Sequence, residues 1–302
     1  MTRLLLSIAL LLSPMLAMAE LRVVIVEGLA GEPTYSEQFD RQVAAIGRAA
    51  ASVTGDEHIH ILRGDDVSRE AALQRIATAA SGIGANDWFA LFLVGHGSYN
   101  DYEYKFNIPG PDLTGEDIAA ALDELPDSNQ LLVNTSSASG AIAELVAADN
   151  RIVVLATRSG VERHATRFGN YFAEALSDTS ADIDKNNMVS VTEAFGFAQR
   201  RVDDYFESNN QLATEHAAMS GTRGERLALA RLGGARPAVV DTTLAGLLGD
   251  RDALNEEIEA LRLSRDDMSA TDYQSALLEK MLQLARIEDA IEARQEELDA
   301  DR

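Results

Sequence analysis

The run Trp88–Gly97, WFALFLVGHG, decides the fold, because seven consecutive apolar residues end abruptly in a glycine–histidine–glycine turn. A short apolar run bounded by turn residues predicts a strand that is buried on both faces. A second run, Gln130–Asn134, ends in the polar stretch TSSASG over residues 135–140. Open α/β sheets build their sites where the carboxyl ends of parallel strands meet. We therefore expect His96 and the serine-rich turn to lie at the same edge of a sheet.

Strands and helices alternate on both sides of these two runs. Further apolar strands are predicted at Leu21–Glu27, 58–62 and 151–156, with amphipathic helices between them. This alternation predicts a three-layer α/β/α sandwich around a mostly parallel sheet. A helix is predicted over 139–147, and the aromatic segment 98–106 is expected to form a short hairpin.

Polar residues before the apolar periodicity predict where the helices begin. Ser36, Ser68 and Thr114 precede helical patterns and are typical N-cap residues. Asp117 lies three residues after Thr114 and completes a shortened version of the capping box. We expect all three helices to begin at these caps.

The first 19 residues have the organisation of a secretory signal. Arg3 supplies the positive region, Leu4–Leu12 the apolar region, and Ala17–Ala19 a small-residue cleavage site before Glu20. The apolar stretch is too short to span a membrane. The sequence therefore predicts a signal peptide over 1–19 and a soluble, exported, periplasmic protein.

Composition excludes several classes of function. The formal net charge of −23 repels phosphate backbones and disfavours binding to nucleic acid. The chain has no cysteine, which excludes every chemistry that depends on a thiolate and every disulfide.

The character of the sequence changes near Pro237. We expect an α/β domain over 20–221, a glycine- and arginine-rich linker over 222–236, and a helical hairpin over 237–302. Apolar residues of the hairpin recur at coiled-coil-like spacing in two runs: Leu247, Leu254, Ile258 and Leu261, then Leu277, Met281, Leu284, Ile291 and Leu298. Two interpretations stay open: an arm for oligomerisation or for a partner helix, and a hairpin that packs on its own domain.

The two turns resemble the motifs of the caspase-like peptidase superfamily, which holds caspases, metacaspases and legumain-like peptidases. Gly95–Ser98, GHGS, is similar to the family's histidine motif, and Ser137–Gly140, SASG, to its Cys-x-Ser-Gly motif with serine in place of cysteine. The similarity covers about Leu21 to Gly221 and is greatest to the legumain-like branch, including the region around His216. Taken alone, the same residues also fit a tight turn and a helix cap.

The resemblance implies specific roles for these residues. It implies that His96 and Ser137 mark the catalytic positions, that Gly97 donates to an oxyanion, and that Thr157, Arg158 and Ser159 shape the substrate pocket. A serine hydroxyl is far less acidic than a thiol and needs a general base, usually oriented by a third group. Asp101, Glu103 and Asp112 are candidates for that group.

The resemblance and the missing cysteine leave three functions open. The first is a weak or inactive peptidase homologue, a pseudoenzyme that binds a peptide or protein. The second is an active serine endopeptidase with a Ser137–His96 dyad, and the third is an assembly protein that acts through the hairpin. No membrane span is expected in any of them.

A second motif, Asp182–Glu193, has the spacing of an EF-hand calcium loop. The candidate Ca²⁺ ligands are Asp182, Asp184, Asn186, the carbonyl of Met188, Ser190 and Glu193. Asn187 replaces the usual glycine at position 6, and asparagine tolerates the left-handed conformation. Ser190 and Glu193 also form a capping box for the next helix, which is the competing interpretation. The expected role of the ion is structural.

Overall fold

The computed structural model describes residues 20–125, 127–232, 242–263 and 268–300. The predicted signal peptide at 1–19 lies outside these residues, as does most of the segment between the domain and the hairpin. The chain divides into two compact units, between Leu232 and Gly233. None of the described helices combines the length and apolar character that crossing a membrane requires.

The first unit is built around a six-stranded sheet. Its spatial order is β10-β8-β7-β3-β1-β2, and all neighbouring strands are parallel except the antiparallel edge strand β10. The strands of this sheet are β1 Leu21–Glu27, β2 Ile59–Leu62, β3 Trp88–Val94, β7 Asn129–Asn134, β8 Arg151–Leu155 and β10 Ala218–Ser220.

Two small antiparallel sheets complete the strands. One contains β4 Gly97–Tyr99, β5 Tyr104–Phe106 and β6 Leu113–Thr114, so the predicted hairpin at 98–106 is confirmed. The other pairs β9 Met188–Ser190 with β11 Ala228–Arg231. Because β11 lies inside the predicted linker at 222–236, that segment belongs in part to the first unit. Its leucines, Leu227 and Leu229, are buried in the core.

Helices cover both faces of the main sheet. Buried residues of α1 Pro33–Ala51, α4 Phe168–Ala175 and α5 Val191–Ser208 form one core with alternate residues of the strands. Those of α2 Arg69–Ala79 and α3 Gly115–Asp123 form a second core on the opposite face. In β3, Phe92 joins the first core and Leu91 the second, as expected for a parallel sheet that is buried on both sides. The predicted three-layer α/β fold is confirmed.

Two of the three predicted helix caps are present. The side chain of Ser68 accepts a hydrogen bond from Ala71 N, and Thr114 forms the full capping box with Asp117. The prediction for Ser36 is wrong, because α1 begins at Pro33 with Glu32 as its N-cap. Proline is favoured in the first helical turn, since its fixed φ suits the helix and its missing N–H is not needed there.

The helix predicted over 139–147 is also wrong. Only a 3-10 turn, Ser139–Ile142, follows the serine-rich stretch. Ala138 just before it has a left-handed φ of 56°, and Gly140 donates its N–H to the Thr157 hydroxyl. Contacts with the segment after β8 therefore override the local helical preference.

The second unit is the predicted helical hairpin. It consists of α6 Thr242–Leu263 and α7 Ala270–Ala300, which pack against each other. Leu254, Ile258 and Ile291 of the predicted apolar runs are buried, and Lys280 forms an ion pair of 2.6 Å with Glu257. Met281 departs from the prediction, because it is exposed.

Truncating a buried side chain at the centre of the sheet should lower the stability of the fold. Leu91 in β3 is fully buried, so we expect Leu91→Ala to lower the free energy of unfolding by about 2–5 kcal/mol. Urea denaturation would measure the change. The control is Leu212→Ala, because Leu212 is 91% exposed and its loss should change stability by less than about 0.5 kcal/mol. Equal effects of the two substitutions would contradict this description of the core.

Candidate functional site

The backbone after β3 makes a close turn that places His96 beside α1. A side chain at Gly95 would put its Cβ 2.9 Å from the Phe106 ring and 3.0 Å from Gly28 Cα, so only glycine fits between them. The ring of His96 lies edge-on to Tyr35 and Phe39 of α1, with centroid distances of 4.5 and 5.1 Å. The imidazole is therefore held by aromatic side chains that come from a distant part of the sequence.

The protonation of His96 reflects this half-buried position. Burial lowers the pKa of His96 from its usual value, while a hydrogen bond with the backbone of Ala30 and the charge of Glu32 oppose the shift. A hydrogen bond that favours the charged ring is one in which the ring donates, so the acceptor is the Ala30 carbonyl. Aromatic contacts with Tyr35 and Phe39 hold the imidazole, whereas the sequence pointed to Asp101, Glu103 or Asp112 as the orienting group. Of these acids, Asp101 pairs with Arg163 and Glu103 with Lys105.

The serine-rich turn after β7 is fixed by a buried polar network. The Ser136 hydroxyl lies 2.6 Å from the Tyr104 hydroxyl and donates to Asn134 Oδ1 at 2.8 Å. Asn134 Nδ2 donates in turn to the Tyr104 oxygen at 2.9 Å. Burial raises the pKa of Tyr104 to about 12, so the phenol stays neutral. The network occupies the hydroxyl of Ser136, the residue next to Ser137.

The two predicted turns meet at the edge of the sheet. A side chain at Gly97 would place its Cβ 2.4 Å from the Ser137 carbonyl oxygen and 2.5 Å from Ser136 Oγ, so the Gly97 backbone lies directly against this turn. Ser137 is only 4% exposed. Among the described residues, no hydrogen bond joins the His96 ring to the Ser137 hydroxyl. The backbones converge as expected, while the side chains are not hydrogen-bonded as a dyad.

The segment after β8 packs against the same turn. Thr157 is fully buried, its hydroxyl accepts from Gly140 N at 2.9 Å, and its N–H donates to Ser139 Oγ at 3.1 Å. A side chain at Gly140 would place its Cβ 2.1 Å from Ser159 N, so the two backbones touch. Arg158 is exposed and forms an ion pair with Glu162 at 3.3 Å. Thr157 therefore holds the turn, and contact of Arg158 and Ser159 with a substrate stays a prediction.

Several residues of this site were not expected from the sequence. Tyr35 and the Ala30 carbonyl hold His96, Tyr104 holds Ser136, and Glu215 holds the start of α4. The buried carboxylate of Glu215 accepts hydrogen bonds from Arg167 N and Phe168 N, and burial raises its pKa. A carboxylate at a helix N-terminus is stabilised by the free N–H groups there. These residues lie too far apart in the chain for spacing to reveal them.

The acidic loop at 182–193 brings three of its predicted ligands together. Carboxylate oxygens of Asp182, Asp184 and Glu193 lie within 4.8 Å of one another. Asn187 has a φ of 61°, so it adopts the left-handed conformation that position 6 of the calcium loop requires. Burial raises the pKa of Asp184 to about 6, and the neighbouring charges of Glu193 and Asp182 add to the shift.

Both interpretations of this loop are compatible with the geometry. Glu193 Oε2 accepts from Ser190 N and Ser190 Oγ, which completes the capping box, while Glu193 Oε1 accepts from Ile183 N within the loop. The clustered oxygens fit a hard cation such as Ca²⁺. Asp182, Asp184, Asn186, the Met188 carbonyl, Ser190 and Glu193 would hold it, and its binding stays a prediction.

Comparison with known proteins finds likeness in structure alone. No family model matches the chain, and no curated protein matches it. The crystal structure of the caspase drICE is similar with a TM-score of 0.41 and 11% sequence identity, over 68% of this chain and 89% of that chain. The α/β fold class is established by the strand order and registers described above.

Calcium should stabilise the first unit if the acidic loop binds it. At a concentration of about 100 times Kd, we expect Ca²⁺ to raise Tm by about 5–10 °C relative to chelator, because the ion binds only the folded loop. Differential scanning calorimetry would measure this shift. Asp184→Ala should abolish it, and Asp203→Ala, at an exposed position of α5, should retain it. A full Ca²⁺ shift in Asp184→Ala would contradict the site.

Proposed function

We propose that this chain is an exported homologue of caspase-like peptidases that binds a peptide or protein at the sheet edge where His96 and Ser137 lie, with weak or no catalysis. One observation carries the proposal: the Gly97 backbone lies against the Ser136–Ser137 turn, while the ring of His96 packs on α1 instead of bonding to the Ser137 hydroxyl. The two motif turns thus meet without an activated nucleophile. Export and a periplasmic location rest on the signal sequence.

The low acidity of the serine hydroxyl supports the proposal that catalysis is weak or absent. A cysteine beside an imidazole reacts as a thiolate, because the pKa of a thiol is about 8.5. A serine must instead lose its proton to a base within hydrogen-bond reach. The lowered pKa keeps His96 neutral at pH 7 and leaves it able to accept a proton. Its ring would still have to leave Tyr35 and Phe39 or draw Ser137 toward it. An active Ser137–His96 endopeptidase is the alternative, and it requires that rearrangement.

The surroundings of the turn support binding. Exposed apolar side chains flank it: Tyr102 at the tip of the β4–β5 hairpin is 94% exposed, and Val161 in the segment after β8 is 72% exposed. Arg163 of the second segment forms an ion pair with Asp101 of the first, so the two segments are neighbours. We propose that these two side chains supply the apolar contacts for a bound peptide.

Restoring the thiol tests the proposal. We expect wild-type protein to resist labelling by a fluorophosphonate and to leave a peptide library uncleaved. Ser137→Cys should cleave peptides from that library only weakly, because a thiol can ionise without a hydrogen-bonded base but the ring of His96 packs on α1. A fall in that cleavage by about 10²-fold or more on adding His96→Ala, the usual contribution of a general base, would show that the ring reaches residue 137. Cleavage would be measured by mass spectrometry of the products.

Two outcomes would contradict this proposal. Labelling of wild-type protein that disappears in both Ser137→Ala and His96→Ala would establish the active serine enzyme. Failure of Ser137→Cys to cleave, together with no retention of any library peptide by wild-type protein, would remove the peptide-binding function. Thermal unfolding of each variant provides the control for folding.

We infer a second, separate function for the hairpin, which is self-association. Leu278, Met281 and Leu282 lie on one stripe of α7 and are 61%, 45% and 53% exposed. Spacing of three and four residues places these side chains on the same face of the helix. A second copy of the chain would bury this face by pairing α7 with its own equivalent.

Sedimentation velocity would test the self-association. We expect full-length protein to sediment as an oligomer and Leu278→Gln with Leu282→Gln to sediment as a monomer, because the paired apolar face is lost. Leu212→Gln removes an apolar group that is more exposed still, but in the first unit, and should leave the oligomer intact. A wild-type monomer at all concentrations would contradict this function.

A further inference from the structure

Glu162 is the charged residue that connects three segments around the candidate site. Its side chain is only 11% exposed. Its Oε2 accepts the backbone N–H groups of Arg158 and His216 at 3.1 and 3.0 Å. Its Oε1 lies 2.7 Å from His216 Nδ1 and 3.3 Å from Arg158 Nε. One buried carboxylate therefore holds the segment after β8 against the segment before β10.

The backbone of Glu162 reaches the turn itself. Its carbonyl oxygen accepts the N–H of Ala138 at 2.8 Å. Ala138 directly follows Ser137 and has a left-handed φ of 56°. The hydroxyl of Thr157, near the other end of the same segment, accepts from Gly140 N. The turn is thus bonded at both ends to a segment whose closure depends on the Glu162 side chain.

We propose that Glu162 is a positioning residue that holds the turn carrying Ser137 by anchoring the 157–162 segment to His216. Two backbone N–H groups donate to its Oε2, and the His216 ring and the Arg158 guanidinium lie against its Oε1, so each carboxylate oxygen has two polar neighbours. A glutamine at this position would turn its NH₂ group toward at least one N–H donor. Charge-assisted bonds are also about twice as strong as neutral ones. The loss of charge alone should therefore release the turn.

The proposal concerns the turn of the proposed function but does not require that the turn cleave or bind a peptide. Glu162 touches neither the ring of His96 nor the hydroxyl of Ser137 in the hydrogen bonds and ion pairs of the described residues. It acts through the backbone of Ala138. The expected consequence is a change in access to residue 137, with no change in its acid–base chemistry.

Because the sequence has no cysteine, the reactivity of one introduced thiol can be measured without interference from others. Ser137→Cys gives the chain its only thiol, so iodoacetamide reports on this position alone. We expect Glu162→Gln in this background to raise the plateau rate of alkylation by about tenfold, because hydrogen bonds to a charged group are lost and the buried turn opens more often. The midpoint of the pH profile should stay unchanged. The rate would be followed by mass spectrometry from about pH 6 to about pH 10.

The matched control is Glu174→Gln in the same background. Glu174 also pairs with an arginine, Arg201, at 2.7 Å, but at the surface and outside this cluster, so the alkylation rate should not change. His216→Gln added to Glu162→Gln should bring little further increase, because both substitutions break one contact. Fully additive effects would contradict the shared contact.

Three results would overturn the positioning role. The first is a plateau rate within about twofold of Ser137→Cys alone. The second is a rise accompanied by a midpoint shifted from that of Ser137→Cys alone, because Glu162 would then be changing the acid–base chemistry of the thiol or unfolding the unit around it. The third comes from proteins that keep Ser137: amide exchange at Ala138 that is equal in wild type and Glu162→Gln. No peptide enters these measurements, so they stand whether or not the proposed function fails.

Discussion

The parallel pairing of β3 with β7 is the constraint on which the rest of the site depends. Leu93 is in register with Asn134, and the ladder continues one step further as Thr135 donates its N–H to the Leu93 carbonyl. Both strands are buried on two faces, so a slip of one residue would move an apolar row out of its core. The pairing fixes which turns meet, because His96 and Ser137 follow these two strands at nearly equal distances.

Beyond the strands, glycine and buried polar groups decide the local geometry. Gly97 allows the backbone after His96 to touch the carbonyl of Ser137, and Gly140 allows the same turn to touch the backbone at Ser159. Each close approach would be blocked by a single Cβ. The neighbouring hydroxyl groups of Ser136 and Tyr104 are bonded to each other in the interior. The turn is therefore rigid for reasons that are independent of any reaction.

The groups that shape this turn are different from the side chains that would react. A serine in place of cysteine changes one atom and leaves the strand pairing, the glycine contacts and the carboxylate of Glu162 as they are. The ring of His96 packs against the aromatic side chains of Tyr35 and Phe39.

The sequence by itself determined the α/β class, the order of the strands along the chain, the meeting of the two turns and the helical hairpin. Apolar runs and turn residues act locally, so their pattern is visible without coordinates. Only the tertiary structure decided that 139–147 is no helix, that Thr157 is buried, and that Glu162 and Tyr104 hold the serine turn. These contacts join residues 17 to 32 positions apart, and no periodicity in a sequence records which distant side chains the fold will bring together.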